Sequence, residues 1–179
     1  MKRITLIAIL LGTILLGSGA LLAKGKDYPS IKWITFEEAA ELCKTKPRPI
    51  LVDMYTDWCG WCKKLDAYTF TNKIIAGYID STFYAVKFNA EGKTPITFRG
   101  QVFDPTTTSE RTHPLAVYLS GGQLSSPFMV FLDSTFNVIN TLPGYYPPSN
   151  LEPVLHYFGE GAYRDQKWED FQSKFKGSF

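Results

Sequence analysis

Val52-Asp53-Met54-Tyr55-Thr56-Asp57-Trp58-Cys59-Gly60-Trp61-Cys62-Lys63-Lys64 is the stretch on which the fold turns. Its first residues belong to Ile50 to Tyr55, a near-continuous apolar run of the kind that forms a central strand covered on both faces. Its second part opens a helix that should run to about Tyr68, with Asp57 as the expected N-cap. A Cys-x-x-Cys pair therefore sits where a strand hands over to a helix. Cys59 at the helix N-terminus meets unpaired backbone N–H groups and the positive end of the helix dipole, and both favour a thiolate. Cys62 lies about one turn deeper on the same face, close enough to bridge without distorting the backbone. A low-pKa outer thiol beside a shielded inner one is what thiol–disulfide exchange requires.

Two other readings of the pair compete. A zinc site needs four ligands, and only Cys43, His113 and His156 remain to supply them, at no recognisable spacing. A purely structural disulfide would close a very small loop and stabilise little through chain entropy. The redox reading is preferred. It requires no metal and no cofactor.

The chain begins with Lys2 and Arg3, an apolar run from Leu6 to Leu16, and the small residues Ser18-Gly19-Ala20. This reads as an export signal over residues 1–23, with an uncleaved anchor over residues 4–23 as the alternative. Residues 24–179 then form one domain, enough chain for a real core. The whole chain carries 19 basic and 17 acidic residues. Removing Lys2 and Arg3 leaves 17 against 17, a balance that argues against nucleic-acid partners. Three cysteines in an exported chain fit a catalytic pair plus a bystander better than a stapled scaffold. That bystander, Cys43, reads as an inert buried hydrophobe.

The remaining pattern supports an α/β architecture, with a central mixed sheet and helices on both faces. Ile31 to Ile34 reads as a short strand, and Thr35 with Glu38 as a capping box for the next helix. Thr71 is the expected cap of a helix through Asp80, and Phe83 to Phe88 the next strand. Between Ala90 and Thr112, Ile96-Thr97-Phe98 and Gln101-Val102-Phe103 flank Arg99-Gly100, which suggests a small hairpin in a surface insertion. A helix from His113 to Leu119 follows, then an antiparallel pair, Phe128 to Leu132 and Phe136 to Leu142. Ser149 or Asn150 should cap a helix that tolerates Pro153 in its first turn, and Gln166 to Phe175 is a last amphipathic stretch.

Several residues near the cysteines are candidates for the chemistry. Asp53, six residues before Cys59 in the buried strand, would be desolvated and its pKa raised, so that it can trade a proton with Cys62. The alternative is an Asp at a strand end, turned to solvent. Lys87 in the neighbouring strand can pair with Asp53 or lie on the surface. Ser126-Pro127 opens a strand, where proline cannot donate to the ladder. A cis bond there would expose backbone for an extended peptide, and a plain strand-start proline is the other option. Trp58 and Trp61, around Gly60, can contact substrate or shield the sulfurs. His113 and His156 read as structural.

With these residues in view, the quoted stretch resembles the active site of the thioredoxin family. Through Tyr68-Thr69-Phe70 it is particularly similar to the C-terminal periplasmic domain of thiol:disulfide interchange proteins. Val86-Lys87-Phe88-Asn89 is similar to the family's third strand, Ser126-Pro127-Phe128 to its cis-proline loop, and Gly144 to the glycine after its last strand. The resemblance spans about Ile31 to Phe158. It implies a thioredoxin fold with an inserted hairpin and a C-terminal helical extension. It also implies protein or peptide disulfide substrates and an upstream thiol electron donor, membrane-embedded in some relatives. Trp61 stands where thioredoxins carry Pro and isomerases His, and Ser126 where Thr or Ile is common. The 90–112 insertion resembles one in exported thioredoxin-like proteins of Bacteroidetes-type bacteria and points to a Gram-negative periplasm. The expected activity is an exported oxidoreductase acting reductively through Cys59 and Cys62. A disulfide isomerase or oxidase, and a non-catalytic binding module, are the competing functions.

Overall fold

The computed structural model describes residues 30–179, so the signal or anchor read in residues 1–23 lies outside the described residues. Two strands, β2 (Ile50–Tyr55) and β6 (Phe128–Leu132), form the middle of a five-stranded sheet. Beside them lie β1 (Trp33–Ile34), β3 (Tyr84–Asn89) and β7 (Val138–Pro143), in the order β1-β3-β2-β6-β7. Strands β1 and β2 run parallel to β3, whereas β2 with β6 and β6 with β7 are antiparallel. The apolar runs explain this centre: every residue of β6 and the first five of β2 are buried.

Alternation along the strands sorts the core into two layers. Ile50, Val52 and Met54 face helices α1 (Phe36–Thr45) and α4 (Pro114–Ser120). Leu51 and Met129 face α3 (Lys73–Thr82) and α5 (Pro148–Gly159). The short α6 (Trp168–Lys174) packs Trp168 and Phe171 against this second layer. Strands β4 (Ile96–Phe98) and β5 (Gln101–Phe103) form the expected hairpin, with Arg99 and Gly100 both at positive φ, as a two-residue primed turn requires. The hairpin is more than surface decoration. Phe98 and Phe103 enter the first core layer, and Phe98 makes edge contacts with Phe36 and Phe136.

The helix caps follow local chemistry, with three corrections to the sequence reading. Thr35 and Glu38 form the capping box. Asn72, not Thr71, caps α3, because its side chain reaches the Ile74 N–H while the Thr71 hydroxyl donates back to the Ala67 carbonyl. Helix α5 starts at Pro148 with no side-chain cap, so neither Ser149 nor Asn150 fills that role, and Pro153 lies inside the helix, beyond its first turn. Cys43 is half-buried at the edge of the first core layer, its thiol 3.7 Å from the Arg48 carbonyl.

Candidate active site

The cysteine helix begins at Gly60, and its N-cap is Cys59 itself. The Cys59 Sγ accepts the Cys62 N–H at 3.0 Å, which displaces Asp57 from its expected capping role. The Asp57 carboxylate instead receives the Asn89 side-chain amide at 3.3 Å. Helix α2 (Gly60–Lys64) then widens into one π-helical turn, Leu65–Thr69, closed by the Phe70 N–H on the Leu65 carbonyl. Cys59 and Cys62 are joined by a disulfide with Cα atoms 5.3 Å apart. The expected contrast between an outer and a shielded sulfur is absent in this oxidised form, since both residues are buried, at 4% and 3% exposure.

Beneath the helix lies a buried charge. Register pairs Asp53 with Lys87 across β2 and β3, on the face of the sheet that carries Leu51 and Ala85. Asp53 is 1% exposed, and the Lys87 Nζ donates to its Oδ2 at 2.5 Å. Lys87 also pairs with Asp66, from the π turn, and its ammonium lies 5.0–5.5 Å from the ring centres of Trp33, Tyr55 and Phe70. Burial pushes the Asp53 carboxyl up to about 6, against the opposing pull of Lys87. Burial pulls the Lys87 ammonium down, but the two carboxylates outweigh it and leave its pKa above the ordinary value. The second oxygen of Asp53, Oδ1, is buried with no hydrogen-bond partner among the described residues.

The rim is aromatic. Trp58 and Trp61 are 63% and 55% exposed, far more than large apolar side chains usually are. The Trp58 Nε1 lies 3.1 Å from both oxygens of Glu91, and Glu91 pairs with Arg111 at 3.0 Å. Trp61 packs against Tyr145, with the Lys64 ammonium 4.7 Å from the Trp61 ring centre. The Thr69 hydroxyl donates to the Tyr146 carbonyl at 2.8 Å and ties the π turn to that loop. Register sets Phe128 opposite Met54, so Ser126-Pro127 lies at the same end of the sheet as the disulfide. The Ser126–Pro127 peptide is cis, and the Pro127 carbonyl accepts the Gly144 N–H at 2.8 Å.

The structure thus brings Asp53 and Lys87 together under the helix and places Trp58, Gly60, Trp61, Ser126 and Pro127 at one end of the sheet. Sequence reasoning missed Asp66, Glu91 and Arg111. Asp66 stands four residues after Cys62, but it reaches Lys87 through the π turn at Leu65–Thr69, which no local pattern announced. Nothing local marks Arg111, which meets Glu91 across 20 residues. Cys43 borders the Arg48 carbonyl, His113 caps α4, and His156 stacks on Tyr78, so these three serve separate elements. No group of three or more His, Cys, Asp or Glu side chains is placed to hold a metal ion among the described residues.

This geometry accords with the comparisons to known proteins. The family model Thioredox_DsbH, described as "Protein of unknown function, DUF255", matches residues 17–140, more than half of the chain. The chain belongs to this family. Members of Thioredox_DsbH fall among the thioredoxin-like thiol–disulfide oxidoreductases, and the Cys59–Cys62 pair places this chain with them. A thiol:disulfide interchange protein DsbD from Citrobacter koseri is 38% identical over 56 residues, which cover 30% of this chain and 10% of that protein. The chain therefore spans about a tenth of the length of the curated relatives it matches. Among solved structures, a thioredoxin from Thermus thermophilus aligns with a TM-score of 0.54 at 17% identity, covering 77% of this chain and 99% of that one. A thioredoxin-fold protein from Helicobacter pylori aligns at 0.51 and 24% identity, covering 71% and 79%. These two establish the thioredoxin fold.

Proposed function

We propose that this chain is an exported, periplasmic oxidoreductase that reduces disulfides in proteins or peptides through Cys59 and Cys62. The observation that carries the reading is the Cys59–Cys62 disulfide at a helix N-terminus above the buried Asp53–Lys87 pair. In the reduced form, the Cys59 sulfur would keep the Cys62 N–H and the helix dipole as stabilisers of negative charge. Its thiolate attacks one sulfur of the substrate disulfide, forms a mixed disulfide, and releases the other substrate sulfur as a thiolate that takes a proton from water. Asp53 then accepts the Cys62 proton, a step its pKa of about 6 suits near neutral pH. The Cys62 thiolate attacks the Cys59 sulfur, and the second substrate sulfur leaves as a thiolate that takes up the proton held by Asp53. Two electrons have passed to the substrate, and the Cys59–Cys62 disulfide has formed. An upstream dithiol, membrane-embedded in one version of this scheme, returns two electrons and two protons.

In this scheme Lys87 keeps Asp53 chargeable inside the protein, while Trp58, Gly60, Trp61, Ser126 and Pro127 receive the substrate backbone and side chains. The reductive direction rests on the Gly60-Trp61 spacer, which lacks the His of strong oxidants. Export rests on the basic and apolar leader of residues 1–23, and the same leader, if uncleaved, would anchor the domain at a membrane. The reading is tested by insulin reduction with dithiothreitol. The expected result is a rate well above that of a Cys59→Ser control, and equal rates for the two would refute it.

A further inference from the structure

The 90–112 insertion has no part in the exchange steps above, yet both of its ends reach the site. Its neck is closed by hydrogen bonds from the His113 N–H to the Ala90 carbonyl, 2.8 Å, and between His113 Nε2 and the Thr94 carbonyl, 3.1 Å. Since His113 Nδ1 accepts the Leu115 N–H, Nε2 carries the proton and donates. Lys93 adds a bond to the Arg111 carbonyl at 3.3 Å. Farther out, Phe98 and Phe103 are locked in the core and the Thr97 N–H bonds Glu37 of α1. The insertion is therefore seated at both its tip and its neck. From the near end Glu91 grips the Trp58 indole, and from the far end Arg111 grips Glu91.

An indole that stands 63% exposed beside Cys59 gains little from solvent unless a partner covers it. Left unheld, its two side-chain torsions would have to be fixed on each encounter, a cost that preorganisation removes. We propose that the insertion is a brace for substrate docking: Arg111 acts through Glu91 to hold Trp58 as a fixed apolar wall beside the disulfide, making Arg111 and Glu91 positioning residues for protein disulfides. The wall serves polypeptide substrates, whose side chains flank the reacting bond, and not small disulfides, which are too short to reach past the sulfurs. This inference rests on the oxidoreductase reading of the site.

The experiment compares steady-state reduction of insulin and of hydroxyethyl disulfide by the wild-type chain and three variants. Glu91→Ala removes the acceptor and should raise the KM for insulin about tenfold, with kcat within about twofold, as loss of a docking contact requires. Arg111→Ala should raise it about threefold, the scale of an exposed ion pair. Glu91→Gln keeps an oxygen for the indole N–H but loses the ion pair, so it should match Arg111→Ala, and combining the two should add nothing further. Rates with hydroxyethyl disulfide should follow the wild type throughout. An independent readout is hydrogen exchange at the Trp58 indole N–H, its NMR signal assigned by its loss in Trp58→Phe, which should quicken in Glu91→Ala. An unchanged insulin KM in Glu91→Ala, equal losses on both substrates, or additive effects of Glu91→Gln and Arg111→Ala would overturn the brace. A wild-type chain no faster than Cys59→Ser would instead remove the oxidoreductase reading, and the brace with it.

Discussion

Strands β2 and β6 lie side by side in the sheet, both almost wholly buried, yet only β2 carries a charged residue. Strand β6 reads Phe-Met-Val-Phe-Leu, and every side chain meets apolar neighbours. Strand β2 reads Ile-Leu-Val-Asp-Met-Tyr, and register sets its Asp53 directly opposite Met129 of β6. One position therefore holds a carboxylate in a setting where its neighbour holds a thioether. Burying an ion costs free energy that even a close lysine only partly returns, and an apolar residue would stabilise the sheet better. Strand β6 is therefore built for stability, whereas β2 gives up stability at one residue, Asp53, which Lys87 links to Asp66 of the π turn.

Met129→Ala should lower the unfolding free energy by about 2–5 kcal/mol, the range for truncating a fully buried methionine. Its insulin-reduction kinetics, measured where the variant stays folded, should match the wild type. Equal damage to stability and to turnover would erase the contrast between the strands.

Asp53→Asn should act in the opposite direction. The folded pKa of about 6 exceeds the reference value of 3.8, so the native state holds the proton more tightly than the unfolded chain does. The Asp53 contribution to stability therefore falls as pH rises from about 4 to about 6, a loss that asparagine avoids. Denaturation series should show the variant more stable by about 1–3 kcal/mol at pH 8, the gap opening between pH 4 and 6, while turnover drops about tenfold or more. A gap that does not change with pH would contradict the buried-acid assignment.

Lys87→Met gives the smallest effect of the three. Removing the cation takes away the pull that lowers the Asp53 pKa, so the acidic limb of the pH–rate profile should move upward, with the rate at pH 8 changing about threefold or less. An unmoved limb would show that Lys87 does not act on Asp53.

Much of this contrast was legible in the chain. The apolar runs of β2 and β6, the Thr35–Glu38 capping box and the turn at Arg99-Gly100 are local patterns, and each formed where periodicity or turn chemistry placed it. Asp53 stood out because a carboxylate among Val52, Met54 and Leu51 has no cheap way to reach water. What the sequence concealed was long-range or competitive. Asp57 lost the N-cap because the helix begins at Gly60, which makes Cys59 the flanking residue and gives the Cys62 N–H to its sulfur. The π turn, which carries Asp66 to Lys87, has no composition of its own. Glu91 and Arg111 meet only once the insertion has folded back on its neck, and Phe98 and Phe103 read as surface until the hairpin docks on α1.

The reduction potential of the Cys59–Cys62 pair decides whether these two sulfurs form a reductase, and it is read by equilibrating the protein with graded dithiothreitol and alkylating the free thiols. A single two-electron transition near thioredoxin's roughly −270 mV is the expected result. A pair that titrates above roughly −180 mV, or that stays oxidised throughout the series, would contradict a reductase built on these two sulfurs.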